Sequence, residues 1–242
     1  MQSQTVNNCE SFAVECVYCS KSLKSGTSYF SLLSDFGSVI FYNQGCLKFQ
    51  QILAKTGPES EILFERFEKK LSEKVDDPLL NGNILYWELL CMNYKTDTLT
   101  LYNSQETAPF MYEEIIPRME WKLINDSTRK ILGHKCKLAV SKFRGRKWEA
   151  WYSEDLPLSL GPWKLHGLPG LILKASADSL ITFEAVSINK TNRDFKQNII
   201  DCYLSKKLEK IRREKYLQFK RRPLVIPAYN KNFPAPPYIE LE

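Results

Sequence analysis

Three stretches of this chain alternate apolar and polar residues about short turn sequences, and that period of two limits the possible folds more than any other feature. Thr98-Leu99-Thr100-Leu101-Tyr102 alternates strictly after the turn Lys95-Thr96-Asp97, and residues 83–94, rich in Ile, Leu, Tyr and Trp, supply its partner. A second hairpin is expected between 134–141 and 147–152 around Phe143-Arg144-Gly145-Arg146, with His134, Cys136, Leu138 and Val140 on one face and Lys135 and Lys137 on the other. A third joins 171–175 to 180–188. Earlier strands are expected at 15–20, 27–33 and 38–42. Three hairpins with no parallel-crossover pattern predict a mainly β fold with a few helices, built on one curved antiparallel sheet or half-barrel.

Helical periodicity enters twice. An amphipathic helix is expected near residues 47–74, where Ile62, Phe64, Phe67 and Leu71 form a stripe among Glu61, Glu65, Lys69 and Lys70. A basic helix is expected near 194–219, its stripe made by Ile200, Leu204, Leu208 and Ile211. Between Tyr203 and Arg222 nine bases face Glu209 and Glu214, so this segment nets +7 of a total of +6 and the rest of the chain nets −1. Such a helix reads as a solvated face packed on the sheet, or as a surface for anionic headgroups. After Arg222, Pro223, Pro227, Pro234, Pro236 and Pro237 predict an extended, non-helical arm over 223–242, which leaves 1–222 as a single β-rich domain.

With 43% apolar and 26% charged residues the chain has an ordinary globular balance. No apolar run reaches the roughly 18 residues of a membrane-spanning helix. Met1-Gln2-Ser3-Gln4-Thr5 has no apolar h-region, as expected of a mature form from which a signal peptide is gone. Nothing of RNA-binding type appears, and no nucleic-acid partner is expected.

The segment Gly161-Pro162-Trp163-Lys164-Leu165-His166-Gly167-Leu168-Pro169-Gly170-Leu171-Ile172-Leu173 fixes a backbone path. Pro169 and Gly170 are expected at the centre of a type II turn. Leu171-Ile172-Leu173 then enters a buried strand, and Trp163 is large enough to plug one end of the core. The run Gly167-Leu168-Pro169-Gly170-Leu171-Ile172 resembles the motif of the GLPGLI family, exported envelope proteins of Gram-negative bacteria with no established activity. Upstream stretches at 121–123, 130–139, 143–146, 150–157 and 161–163 are similar to that family's run into the motif, and 237–242 to its terminus, with Pro-Tyr where Asn-Pro is common before Ile. The resemblance implies the periplasm or outer-membrane surface and no catalytic residues.

Cys16 and Cys19, three apart on a strand, face opposite sides at roughly 10 Å, beyond disulfide reach. In an exported chain, disulfides among Cys9, Cys16, Cys19, Cys46 and Cys91 are expected, with pairing undetermined. His134 and Cys136 have a spacing that suits soft Cu(I), and a cysteine-based copper or zinc protein is one alternative reading. No second Cys pair completes a zinc site, so no metal ligands and no cofactor are assigned. His166 with Glu154, Asp155 and Ser153 or Ser159 would suit a hydrolase or thiol enzyme, but no nucleophile-elbow motif accompanies it. The favoured reading is a non-catalytic envelope protein that binds a hydrophobic ligand or an outer-membrane partner, with Trp148, Trp151 and Tyr152 bordering the groove.

Overall fold

In the computed structural model the described residues are 13–22, 26–35, 37–53, 88–103, 109–178, 180–191, 193–204, 207–221, 224–226, 231–233 and 239–240, with isolated positions at 57, 58, 61, 62, 65, 66 and 69. The fold is mainly β, as the alternation predicts. Strands β1 (Ala13–Ser22), β2 (Gly26–Asp35), β3 (Ser38–Asn43), β4 (Glu88–Asn93), β5 (Thr98–Asn103) and β6 (Phe110–Ile115) are followed by β7 (Lys122–Ile131), β8 (His134–Phe143), β9 (Arg146–Ser153), β10 (Leu171–Ala177), β11 (Ile181–Thr191) and the short β12 (Glu209–Lys210). These form one sheet in the order β12-β6-β5-β4-β3-β2-β1-β11-β10-β9-β8-β7. Every neighbouring pair is antiparallel except β12 with β6. All three expected hairpins form (β4–β5, β8–β9 and β10–β11).

The sheet curls tightly. Glu114 of β6 lies near one end of the strand order and Arg144, in the β8–β9 turn, near the other. At about 4.8 Å per strand, a flat sheet would hold them roughly 40 Å apart. Instead Arg144 Nη2 sits 2.6 Å from Glu114 Oε2. Arg144 and Gly145 have φ of 52° and 75°, the positive values that a two-residue type I′ hairpin requires.

The interior of the curl carries the main core, including Tyr18, Phe30, Phe41, Leu101, Tyr112, Trp148, Tyr152 and Phe183. Phe30 stacks on Phe41 at 5.1 Å, and Phe183 meets both rings edge-on. A second, smaller core lies on the other face of β2–β4, where Leu33, Ile40, Tyr42 and Leu89 pack with Leu47 of helix α1 (Gln44–Leu53) and with Ile199 and Tyr203 of helix α2 (Arg193–Leu204). Helix α1 starts at Gln44, three residues earlier than the stripe indicates, because the Asn43 side chain accepts a hydrogen bond from the Cys46 N–H at 3.0 Å and caps it. Positions 58, 61, 62, 65, 66 and 69 are helical, whereas Phe64, Phe67 and Leu71 lie outside the described residues.

The basic segment divides in two. After α2, Glu209 and Lys210 add to β6, with Glu209 N–H donating to Pro109 O at 3.1 Å and Ile211 N–H to Met111 O at 2.9 Å. Helix α3 (Arg213–Lys220) follows. The expected stripe is thereby shared out, Ile200 joining the smaller core and Ile211 the main one. Sheet pairing captured a stretch that helical periodicity alone would have kept intact. Of the expected arm, β13 (Leu224–Ile226) pairs antiparallel with β14 (Lys231–Phe233), Ile239 packs partly on the main core and Glu240 is buried, while its other residues lie outside the described ones.

The Pro169–Gly170 corner differs from the expected type II turn. Gly170 N–H donates to Leu168 O at 2.8 Å, a tighter bend centred on Pro169, and Leu171 N–H donates to Leu156 O at 2.9 Å. What demands glycine at 170 is close approach, since a Cβ there would lie 2.1 Å from the Ser153 carbonyl oxygen. Gly170→Ala is therefore expected to cost about 3 kcal/mol or more in urea denaturation. Gly133→Ala, with φ +82° and nothing within 4 Å of its Cβ, should cost only about 1–2 kcal/mol of backbone strain. Equal costs at the two positions would contradict this account of the corner.

Candidate functional site

The chain between β9 and β10 forms the plug of the curled sheet. It folds back on itself through the Leu160–His166 bridge, the Gly167 N–H to Ser159 O bond at 3.3 Å and the Ile172 N–H to Leu160 O bond at 2.9 Å. Leu160, Trp163, Leu165, Leu168, Leu171 and Ile172 are all buried in the main core. Trp163 stacks on Trp148 with centroids 5.5 Å apart and meets Phe143 edge-on. The Tyr18 hydroxyl donates to Ile172 O at 2.7 Å, tying β1 to the end of the plug. Trp163 thus fills the core as its size predicts, and it does so at φ +56°. That conformation is costly for a bulky residue and persists only where the surroundings over-determine it.

What holds Trp163 there is the residue after it. Lys164 has no exposed surface. Its ammonium donates to the Tyr112 hydroxyl at 2.7 Å, to Glu114 Oε1 at 3.0 Å and to Glu240 Oε2 at 3.0 Å, so all three N–H donors have acceptors. Arg213 Nε of α3 donates to Glu240 Oε1 at 2.9 Å, and its Nη2 also pairs with that oxygen. Arg144 Nε lies 3.4 Å from the same carboxylate. Nearby, Lys220 pairs with Glu88 at 2.7 Å and the Tyr216 hydroxyl donates to Glu88 at 3.3 Å. Burial alone would push the Glu240 carboxyl up, but Lys164 and Arg213 outweigh it and hold the group below its ordinary 4.5. This knot joins β6, the β8–β9 turn, the plug, α3 and the tail.

None of these groups has the freedom a catalyst needs. The ammonium is fully engaged and shielded, and the carboxylates are each held by two or more cations. Nothing in the local sequence marks Lys164, which lies three residues ahead of the Gly167–Ile172 motif.

The individually weighed residues are dispersed. His166 Nε2–H donates to Pro117 O at 2.8 Å, and its ring faces Tyr94 at 6.4 Å. Burial lowers its pKa, only partly offset by the Pro117 bond, so the imidazole is neutral. Ser153 donates instead to Lys135 O at 2.9 Å, Glu154 pairs with Lys137 at 2.7 Å, and Asp155 lies 3.9 Å from His134. Ser153, Glu154 and Asp155 are therefore turned to β8, while Ser159 stays in the plug, where its carbonyl accepts from Gly167 N–H. Cys16, Cys46 and Cys136 are buried thiols and Cys19, Cys91 and Cys202 half-buried ones, so the described members of the expected disulfide set stand as thiols, and Cys9 lies outside the described residues. Desolvation pushes Cys16 up to about 12 and raises Cys46 further, which leaves both protonated and unreactive. Among the described residues no three His, Cys, Asp or Glu side chains gather as metal ligands would, around His134 and Cys136 or elsewhere. The face they were expected to share is buried at Cys136 but half-exposed at His134, Leu138 and Val140, while Ala139, Ser141 and Phe143 of the opposite face are buried.

The three aromatic residues expected to border a groove do not act together. Trp148 and Tyr152 point into the filled core, and Trp151, at the intervening position, lies on the other face beneath the Arg129 guanidinium at 4.4 Å. Period two already separates them. A cleft of about 590 Å³ does open at the end of the sheet, beside Trp121, Lys122, Val140, Lys142, Trp148 and Glu149. Trp121 is oriented there by its indole N–H, which donates to His166 O at 2.8 Å. Mixed charge and half-buried apolar surface suit contact with another macromolecule better than enclosure of a lipid tail. Among the described residues no helix is long and apolar enough to cross a membrane.

Fold and site together define a mainly β domain whose sheet is plugged by its own chain and clasped by buried charge. A family model described as "N-glycanase peptide, N-terminal domain" matches residues 91–212, half of the chain, and the chain belongs to that family. Two solved structures are similar to it, described as PNGF-II in a C2 and in a P21 space group. Each aligns at 18% identity with a TM-score of 0.56 over 89% of this chain. At that identity the likeness is one of fold, and the chain spans 35% of the length of those structures. No curated protein sequence matches it.

Acid should loosen the knot. Because the folded Glu240 pKa is depressed, its stabilisation is present above the ordinary value of 4.5 and lost as pH falls through the folded value. Denaturation midpoints measured from pH 6 downward should fall below about pH 4.5 in the wild type. Glu240→Gln should be less stable at pH 6 and should show a shallower acid decline. An unchanged acid slope in the variant would contradict the assignment.

Proposed function

We propose that this chain is a GLPGLI-type protein of the Gram-negative envelope that works as a non-catalytic binding module for an outer-membrane protein partner. The observation that carries this reading is the plug. A carrier of a hydrophobic ligand needs its concave face empty, and here Leu160, Trp163, Leu165 and Leu168 occupy that face. With the interior filled, the outer surface is left for recognition. The cleft beside Trp121 is the part of it with both relief and apolar content.

The motif Gly167–Ile172 and the stretches around it support the GLPGLI assignment and the envelope location that goes with it. The family description names an N-terminal domain, which accords with a module that serves another polypeptide. The basic segment supports a protein partner over a lipid surface. Lys220 and Arg213 are engaged by Glu88 and Glu240 in the interior, and Lys210 and Lys215 pair with Glu113 and Glu209 at the surface, so four of its cations already have acidic partners within the chain.

Protein purified from envelope fractions should carry far less than one lipid per chain by mass spectrometry of an organic extract. In intact cells, a photo-crosslinker at Lys122 should trap one outer-membrane protein, and one at the exposed Tyr29 of β2, six strands away in the sheet, should not. A stoichiometric lipid, or release of glycan from a glycopeptide by the purified chain, would overturn the reading.

A further inference from the structure

The Glu240 carboxylate is held the way a bound ligand is held. Its two oxygens meet Lys164 Nζ at 3.0 Å, Arg213 Nε at 2.9 Å and Arg144 Nε at 3.4 Å, three cations drawn from the plug, α3 and the β8–β9 turn. Glu240 itself belongs to no strand or helix. Its anchoring is ionic, helped by partial packing of Ile239 on the core. The framework around the carboxylate is rigid by comparison, since Glu114 and Tyr112 sit on β6 and fix Lys164 from the other side. One donor is left over. Arg144 Nε is buried with no hydrogen bond, close to the carboxylate but without the geometry to bond it. A carboxylate free of the tail's backbone could turn to take that donor as well. Of the five charged side chains in the knot three are cationic and two anionic, so the cavity favours an anion in the Glu240 position.

We propose that Lys164, Arg144 and Arg213 form a carboxylate-binding site, that Glu240 of the chain's own tail is its resident ligand, and that an alkyl carboxylate from solution occupies the same place once the Glu240 side chain is removed. The site selects charge, planar shape and two oxygens, because the Arg213 guanidinium engages Oε1 while the Lys164 ammonium takes Oε2. Chloride matches the charge but offers one spherical acceptor where the donors are set for two oxygens, and a neutral amide brings only one acceptor oxygen.

The test uses the full chain carrying Glu240→Ala, which deletes the equivalent of one acetate. The variant should melt roughly 10 °C below the wild type, as expected when one partner of a buried ionic group is lost. Sodium acetate should return most of that loss, saturating with an apparent Kd on the order of 10–100 mM. Sodium chloride at equal ionic strength and acetamide at equal concentration should not, and the wild type should respond to acetate no more than to chloride. Lys164→Met combined with Glu240→Ala should lose the acetate response. Should Glu240→Ala fail to fold alone, recovery of folded protein on dilution from urea is the readout, expected several-fold higher with acetate than with acetamide. Acetate acting no better than chloride or acetamide, in melting or in refolding, would overturn the proposal.

Discussion

A single buried ammonium sets the geometry on which the other parts of this domain depend. Lys164 sits where no water reaches it, and its three donors go to two residues of β6 and one of the tail. Through Glu114 and Glu240 it is linked to Arg144 and Arg213, so a strand at one end of the sheet is tied to a turn at the other. A twelve-stranded sheet left to its ordinary twist has no reason to bring those ends together. The plug supplies apolar reason, with Trp163 stacked on Trp148, and the knot supplies the clasp. Buried ionic groups seldom add much net stability compared with well-packed apolar ones. Their effect here is on geometry, because a plug shifted by one residue would leave Lys164 buried without acceptors.

This constraint bears directly on function. The plug occupies the interior of the curled sheet, Ser153 donates to the Lys135 carbonyl, and burial keeps the Cys16 thiol protonated. The solved structures with the same fold are about two and a half times as long as this chain, which spans 35% of them. Activity suggested by their names belongs to those whole molecules, and what this chain shares with them is architecture. Outside the plug, the described surface carries the cleft beside Trp121 and, on the outer face, the Lys174–Glu184 pair.

Much of the fold was legible in the sequence because hairpins are local. Strict alternation at 98–102, the two-faced pattern at 134–140 and the turn-bounded apolar runs of 171–188 placed six strands and their pairing within a few residues. The strand order was not legible, since pairing of β1 with β11 or β12 with β6 joins segments over ninety residues apart and leaves no short-range mark. The knot was hidden for a related reason. Lys164 lies 50 residues from Glu114 and 76 from Glu240, and a lysine between Trp163 and Leu165 reads locally as a surface residue that anchors a turn. Two misplacements were avoidable. Asn43 is a visible helix cap, and parity alone separates Trp151 from Trp148 and Tyr152. The corner at Pro169–Gly170 was correctly located, but a dipeptide cannot report that the Ser153 carbonyl lies against it.

The most direct test of the central claim is a double-mutant cycle across the clasp, with Lys164→Met, Glu240→Gln and the pair measured by urea denaturation at pH 7. Lys164→Met alone should cost about 3–5 kcal/mol, because it strands carboxylates in a dry site. Neutralising both partners should cost less than the sum of the single losses by about 1–3 kcal/mol. Strict additivity, or a Lys164→Met variant within about 0.5 kcal/mol of the wild type, would show that the sheet keeps its curl without this ammonium.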